Sequence, residues 1–307
     1  MTGDKPLISV DTWKAHGEFT RLRGYEIFYM DTHDHDKPTV LLIHGFPTAS
    51  WDWTKIWPGL AQHYRLVAMD LLGFGFSDKP DPHTYSIMEQ ADLCEGLIEK
   101  LQLGRFHVLA HDYGDTVAQE LLARQNAGTG SGNWLSVCFL NGGLFPETHR
   151  ARLIQKLLLS PLGPLINRVL SKPAFERSMN SVFGPDTKAT RDELDGFWQL
   201  INTKNGKHLF HNLITYIRDR RQHRERWLEA LRDSAVPLGL INGSVDPVSG
   251  AHMVARFEQL VGNNHFIRAL PAIGHYPQVE APEQVLEAYT EFLQRLSTAE
   301  PELAARA

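Results

Sequence analysis

The sequence predicts an α/β protein: a mostly parallel, eight-stranded sheet with helices on both faces and a helical cap inserted late in the chain. Three observations carry this. Short β-rich runs alternate with longer runs of helical spacing through the first half, the pattern of strands joined by crossover helices. Residues 144–234 then hold large side chains, Trp198, Phe210, Tyr216 and Trp227, in helix-rich sequence with no strand pattern. Two further strand patterns follow, so that stretch interrupts one sheet. It divides the chain into a core, 1–143 with 235–307, and a cap, 144–234.

The first two runs, 19–23 and 26–30, read as an opening hairpin with its turn at Gly24-Tyr25. Strands are expected at 39–43, 64–69, 106–110 and 137–140, and later at 236–241 and 265–270. Between Ser86 and Leu101 the apolar positions Ile87, Ala91, Cys94, Ile98 and Leu101 keep helical spacing, and Ser86 with Glu89 forms a capping box. Another helix follows from Thr116 to about Arg124. The last begins near Pro282, a residue suited to a first turn, and residues after Ser297 read as a frayed tail.

The 307 residues are 42% hydrophobic, 22% charged and 10% aromatic, ordinary globular values that set aside disordered, collagen-like and coiled-coil classes. Lys and Arg number 31 against 36 Asp and Glu, and this formal charge of −5 argues against a nucleic acid or an anionic membrane as partner. Cys94 and Cys138 suggest no disulfide framework and fit a reducing cytoplasm. The start, MTGDKPLISV, lacks the features of a signal peptide. The apolar stretch 153–170 is broken by Pro161, Gly163 and Pro164, so no transmembrane helix is expected. The run His33-Asp34-His35-Asp36 follows a strand without a partner cluster and reads as a solvated loop. Neither metal nor cofactor is expected, and the oligomeric state is not legible.

Four short elements carry chemistry. Ala110-His111-Asp112-Tyr113-Gly114 lies between a strand and a helix, with small residues two before and two after Asp112. That is the shape of a nucleophile elbow, in which a strained turn lifts the central side chain above the sheet. Asp112 could equally cap the helix that follows. His44-Gly45-Phe46-Pro47 follows the 39–43 strand and offers the Phe46 amide as one oxyanion donor; the Tyr113 amide would be the other. Read alone, this pair is also a plain strand-to-loop turn. His275, in Ile273-Gly274-His275-Tyr276-Pro277, is the candidate base. Asp246, in Gly243-Ser244-Val245-Asp246-Pro247, would orient it, although Asp is ordinary in turns. The chain order of Asp112, Asp246 and His275, each after its own strand, makes the joint catalytic reading the preferred one.

These motifs resemble the α/β-hydrolase superfamily, in the aspartate-nucleophile branch of epoxide hydrolases and haloalkane dehalogenases. A closer resemblance spans about Gly24 to Phe292. It rests on the segments 70–80, from Asp70-Leu71-Leu72-Gly73 to Lys79-Pro80, His111-Asp112-Tyr113-Gly114-Asp115, and Asn141-Gly142-Gly143-Leu144-Phe145-Pro146-Glu147-Thr148, and is to the mesoderm-specific transcript protein family of vertebrates.

The resemblance implies attack by Asp112 on saturated carbon, because a carboxylate attacking an ester or amide would give a more reactive anhydride. An alkyl-aspartate ester would form and then be hydrolysed. Haloalkane dehalogenases generally hold the halide with a Trp beside the nucleophile and an Asn or Trp after the His-Gly pair, where this chain has Tyr113 and Phe46. Epoxide hydrolases use cap tyrosines, usually two; here Tyr216 is the one such residue, expected with its hydroxyl toward the surface and with His208 and His211 as substitutes. The expected function is opening of an epoxide to a vicinal diol, on a small apolar substrate with water. The alternatives are a haloalkane dehalogenase or related hydrolase, and a ligand-binding protein without turnover on the same fold.

Overall fold

The central strands are apolar along their whole length, which only a sheet covered on both faces can accommodate. Thr39–Ile43 and Arg65–Met69 are buried at every position. In the computed structural model, which describes residues 7–304, the sheet has eight strands: β1 (Glu18–Leu22), β2 (Tyr25–Asp31), β3 (Thr39–Ile43), β4 (Arg65–Met69), β5 (Arg105–His111), β6 (Asn133–Leu140), β7 (Leu238–Gly243) and β8 (Phe266–Leu270). Their order is β1-β2-β4-β3-β5-β6-β7-β8. Strand β2 runs antiparallel to both neighbours, and every other pairing is parallel.

The predicted elements are present with local shifts, β6 beginning four residues before its expected start and β7 two residues after its own. The hairpin turn is Arg23-Gly24, one residue earlier than expected, because Leu22 pairs with Tyr25 and the two residues between have φ of 49° and 91°. A tight hairpin turn needs positive φ at both central positions, which Gly24 supplies freely and Arg23 tolerates. Ser86 Oγ accepts from the Glu89 amide at 3.2 Å, but the Glu89 carboxylate bonds His83 Nε2 at 2.8 Å, so the capping box is only half formed. The last helix, Pro282–Ala304, continues through the residues expected to fray.

The helix Ile87–Lys100 packs on β1 and on the helix Tyr113–Asn126, which in turn lies against β3, β5 and β6; Pro282–Ala304 covers β7 and β8. Between β6 and β7 the chain makes only helices among the described residues, from Leu153–Leu158 to Arg224–Arg232. This insertion shares a cavity with the loops at the carboxyl ends of β3, β5 and β8, where open α/β sheets place their ligands.

On the opposite edge of the strand pair β2 and β4, Arg65 binds Asp31 through Nε at 3.0 Å and Nη2 at 2.5 Å, and both are buried. Burial alone would raise the Asp31 carboxyl, yet the guanidinium holds it below the usual carboxylate range. Arg65→Leu would strand a buried carboxylate and should cost about 3–5 kcal/mol at neutral pH. Because the folded-state pKa is depressed, the wild-type contribution is present above the unfolded pKa of about 4 and fades as pH falls. Urea unfolding of both proteins at several pH values should therefore show the difference shrinking toward acid.

Candidate active site

Asp112 follows β5 directly and has φ 47° and ψ −101°, a conformation costly for a residue with a Cβ. The turn survives because its surroundings fix it. The Asp112 amide donates to Leu140 O at 3.2 Å, and a Cβ on Gly114 would lie 2.2 Å from the carbonyl oxygen of Ile43. Only glycine lets the new helix start so close to β3. The helix begins at Tyr113, three residues before its expected start, since the elbow feeds straight into it. The Asp112 side chain makes no capping hydrogen bond to the helix, which removes the helix-cap alternative.

Its carboxylate Oδ2 accepts from the Phe46 amide at 3.2 Å and lies 3.9 Å from His275 Nε2. As first residue of its helix, Tyr113 has one of the amides that receive no intrahelical partner. The other face of His275 meets Asp246: Nδ1 to Oδ2 is 2.8 Å. Asp246 is held in turn by Asn141 Nδ2 at 3.0 Å, Ser249 Oγ at 2.8 Å, and the amides of Val248 and Ser249 at 2.7 and 3.1 Å. An acceptor so heavily loaded fixes the proton on Nδ1 and leaves Nε2 for Asp112. The His275 backbone is pinned by Val182 O, which accepts its amide at 2.9 Å, and by His111, whose Nε2 meets its carbonyl at 2.8 Å.

The electrostatics follow from this packing. Burial by itself would push His275 down, but Asp246 and Asp112 outweigh it and hold the imidazole well above its ordinary value. Burial would likewise raise Asp112, while His275 and Arg220 keep its carboxyl far below the usual range. His111, buried with no compensating anion of equal weight, is lowered to about 4 and stays neutral.

Arg220 escapes a reading of the sequence. It belongs to the charged run Asp219-Arg220-Arg221-Gln222, which looks like a solvated helix face, yet it is buried beneath the insertion. Its Nη2 donates to the Asp112 carbonyl at 3.1 Å and stands 3.6 Å from Asp112 Oδ1, while Nε donates to Thr116 at 2.8 Å. Asn141 and Ser249 were equally hidden. An asparagine before two glycines at a strand end, Asn141-Gly142-Gly143, is the one local signal that could have drawn attention to the first; in the structure Asn141 takes φ 44°.

Tyr216 is placed differently from its expectation. It is buried rather than surface-facing, its hydroxyl has no hydrogen-bond partner among the described residues, and its ring lies under the Arg220 guanidinium at 4.5 Å. It does not line the cavity beside Asp112 and His275. That cavity, about 180 Å³, has largely apolar walls from the insertion, including Ile154, Leu158, Ile166 and Phe175. Tyr276 is the phenol on its wall; its hydroxyl donates to Phe46 O at 3.2 Å. Neither His208 nor His211 lines it, although His211 Nδ1 lies 2.7 Å from the lining residue Asn167.

Comparison with known proteins agrees with this architecture. The sequence profile of the Alpha/beta hydrolase family matches residues 40–288. The mouse mesoderm-specific transcript protein is 41% identical over 295 residues, covering 93% of this chain and 88% of the relative. A Mycobacterium tuberculosis relative named "Putative hydrolase LipZ" is 38% identical over 280 residues, covering 91% of this chain and 96% of that protein. Among solved structures, a loop variant of the haloalkane dehalogenase DbeA from Bradyrhizobium elkanii superposes with a TM-score of 0.78 at 23% identity, over 93% of this chain and 98% of that one. At that identity the likeness speaks for the fold.

The elbow yields a stability test. Gly114→Ala sets a methyl against backbone that cannot move aside, and should cost about 3 kcal/mol or more, read as a lowered urea midpoint. An unchanged midpoint would mean that the helix start tolerates displacement.

Proposed function

The chain belongs to the alpha/beta hydrolase family, and on that footing we propose that it opens an epoxide to a vicinal diol through a covalent ester of Asp112. The observation that carries this reading is the residue at the strained turn. It is a carboxylate, held between the Phe46 amide and Arg220 and facing a histidine backed by Asp246. A carboxylate there suits attack on saturated carbon.

In the first step an Asp112 oxygen attacks an epoxide carbon, the carbon–oxygen bond breaks, and the departing oxygen takes a proton. We assign that proton to Tyr276, which lines the cavity, in place of Tyr216, which does not. In the second step His275 removes a proton from water, which attacks the Asp112 carboxyl carbon. The Phe46 and Tyr113 amides receive the oxyanion, a contribution of about 3–4 kcal/mol per donor. On collapse the acyl bond breaks, and His275 returns its proton to the departing oxygen to release the diol, which carries one former Asp112 oxygen. The Asp112 carboxylic acid then ionises by giving its proton to His275.

The charges support this order. While Asp112 is an anion it helps to keep His275 protonated; esterification removes that charge, so the imidazole gives up its proton, which restores the Tyr276 phenol, and is freed to act as base. The segment 144–234 serves as the cap, and the apolar cavity walls favour a small apolar organic substrate. A cytoplasmic location belongs to the same proposal, since Cys94 and Cys138 are buried free thiols. Halide release is the weaker reading. It needs side-chain N–H donors beside the nucleophile and after the His-Gly pair, and this chain has Tyr113 and Phe46 there, whose side chains carry none.

His275→Gln should permit alkylation and stop hydrolysis, so mass spectrometry should find an adduct on Asp112 after incubation with an aryl epoxide. In the wild type, hydrolysis of that adduct should slow as pH falls and His275 is protonated, while alkylation continues because Asp112 stays ionised. A single turnover in oxygen-18 water that places label directly in the diol would rule out the covalent route. Tyr276→Phe should slow alkylation by about 10²-fold, and Tyr216→Phe should leave it near wild type. The reverse pattern returns the donor to Tyr216, and turnover of haloalkanes without epoxides replaces the reaction.

A further inference from the structure

The exposed large apolar side chains are concentrated in one part of the insertion. Of six such residues among those described, Leu153, Leu162, Leu165 and Val169 fall within 153–169, and each is more than half exposed. They ride on the helices Leu153–Leu158 and Gly163–Val169 and on the bend between them. Ile166 and Leu170 line the cavity, whereas Leu162, Leu165 and Val169, spaced three and four apart, share the solvent side.

The charges that this segment itself carries are all of one sign. Between Thr148 and Pro173 stand Arg150, Arg152, Lys156, Arg168 and Lys172, and no Asp or Glu. Lys172 pairs with Asp195 at 2.6 Å, while the other four make no ion pair among the described residues. Elsewhere arginines are commonly matched, as Arg124 is to Asp92 and Glu95, and Arg224 and Arg256 are to Glu147.

We propose that this face seats the protein peripherally on an anionic lipid bilayer. Exposed leucines flanked by unpaired arginine and lysine are what an interfacial surface presents, the apolar groups entering the headgroup boundary and the cations meeting lipid phosphates. A second copy of the chain fits poorly, because a two-fold contact would set the same unpaired cations against each other. No helix among the described residues is long and apolar enough to cross a membrane. The whole-chain charge of −5, which spoke against an anionic membrane, averages away this local excess. Because Ile154, Leu158, Ile166 and Leu170 of the same segment wall the cavity, a substrate dissolved in the bilayer would enter between helices already in contact with lipid.

Co-sedimentation of the full chain with vesicles tests this without any substrate, so its result stands apart from that of the epoxide assays. The protein should pellet with phosphatidylcholine–phosphatidylglycerol vesicles, less with pure phosphatidylcholine, and less as salt rises. The triple variant Leu162→Ser, Leu165→Ser, Val169→Ser and the triple variant Arg150→Gln, Lys156→Gln, Arg168→Gln should each bind at least about tenfold more weakly. Both should keep the wild-type circular dichroism spectrum and its rate on a water-soluble epoxide. Wild-type protein left in the supernatant with every vesicle overturns the proposal, as does binding indifferent to both variants. A dimer in sedimentation velocity that the serine variant dissolves overturns it in favour of self-association.

Discussion

Two carboxylates and an imidazole, all buried, sit in line at the carboxyl ends of the strands, and much of the surrounding structure exists to make that arrangement tolerable. A buried ion without partners would simply lose its charge. Here the partners come from every side: Asn141 from the end of β6, Ser249 and the Val248 amide from the loop after β7, Phe46 from the loop after β3, and Arg220 from the insertion. The parallel sheet is what brings these loops to one edge, since consecutive parallel strands all end on the same side.

The same constraint explains why the nearby histidines differ. His275 is flanked by two anions and is held up; His111, at the end of β5, faces the His275 carbonyl at 2.8 Å and is held down by its burial. His44, equally buried, accepts the Leu71 amide at 3.0 Å and faces the Gly45 carbonyl, so it ties the ends of β3 and β4 together as a neutral group. Three buried imidazoles thus fall into two protonation states, and the anions beside His275 make the difference.

The sheet was legible because strand periodicity and helix signals are local. All eight strands lie where apolar runs predicted them, and the shifts at their ends come from turn geometry, as at Arg23, which does not advertise a positive φ. The positions of Asp112, Asp246 and His275 were legible for a related reason: each follows a strand end, and the fold converts that sequence position into a spatial one. Arg220 and Tyr216 were not, because their surroundings are set by how helices of the insertion pack on the core. A charged run and an amphipathic helix look the same in sequence whether one arginine is turned inward or not. The positive charge of segment 149–172 was hidden for the opposite reason, since a composition averaged over 307 residues dilutes a local excess of one sign.

Arg220 crosses from the insertion to the carbonyl of Asp112 and to Thr116, in the first turn of the helix that Asp112 begins. For protein engineering this means that the insertion is not an exchangeable module. A chimera that replaced it with the corresponding segment of another hydrolase would alter pocket shape as intended, but would also delete the cation that braces Asp112. Such grafts would have to carry an arginine at the matching place, and libraries that vary the insertion should hold that codon fixed.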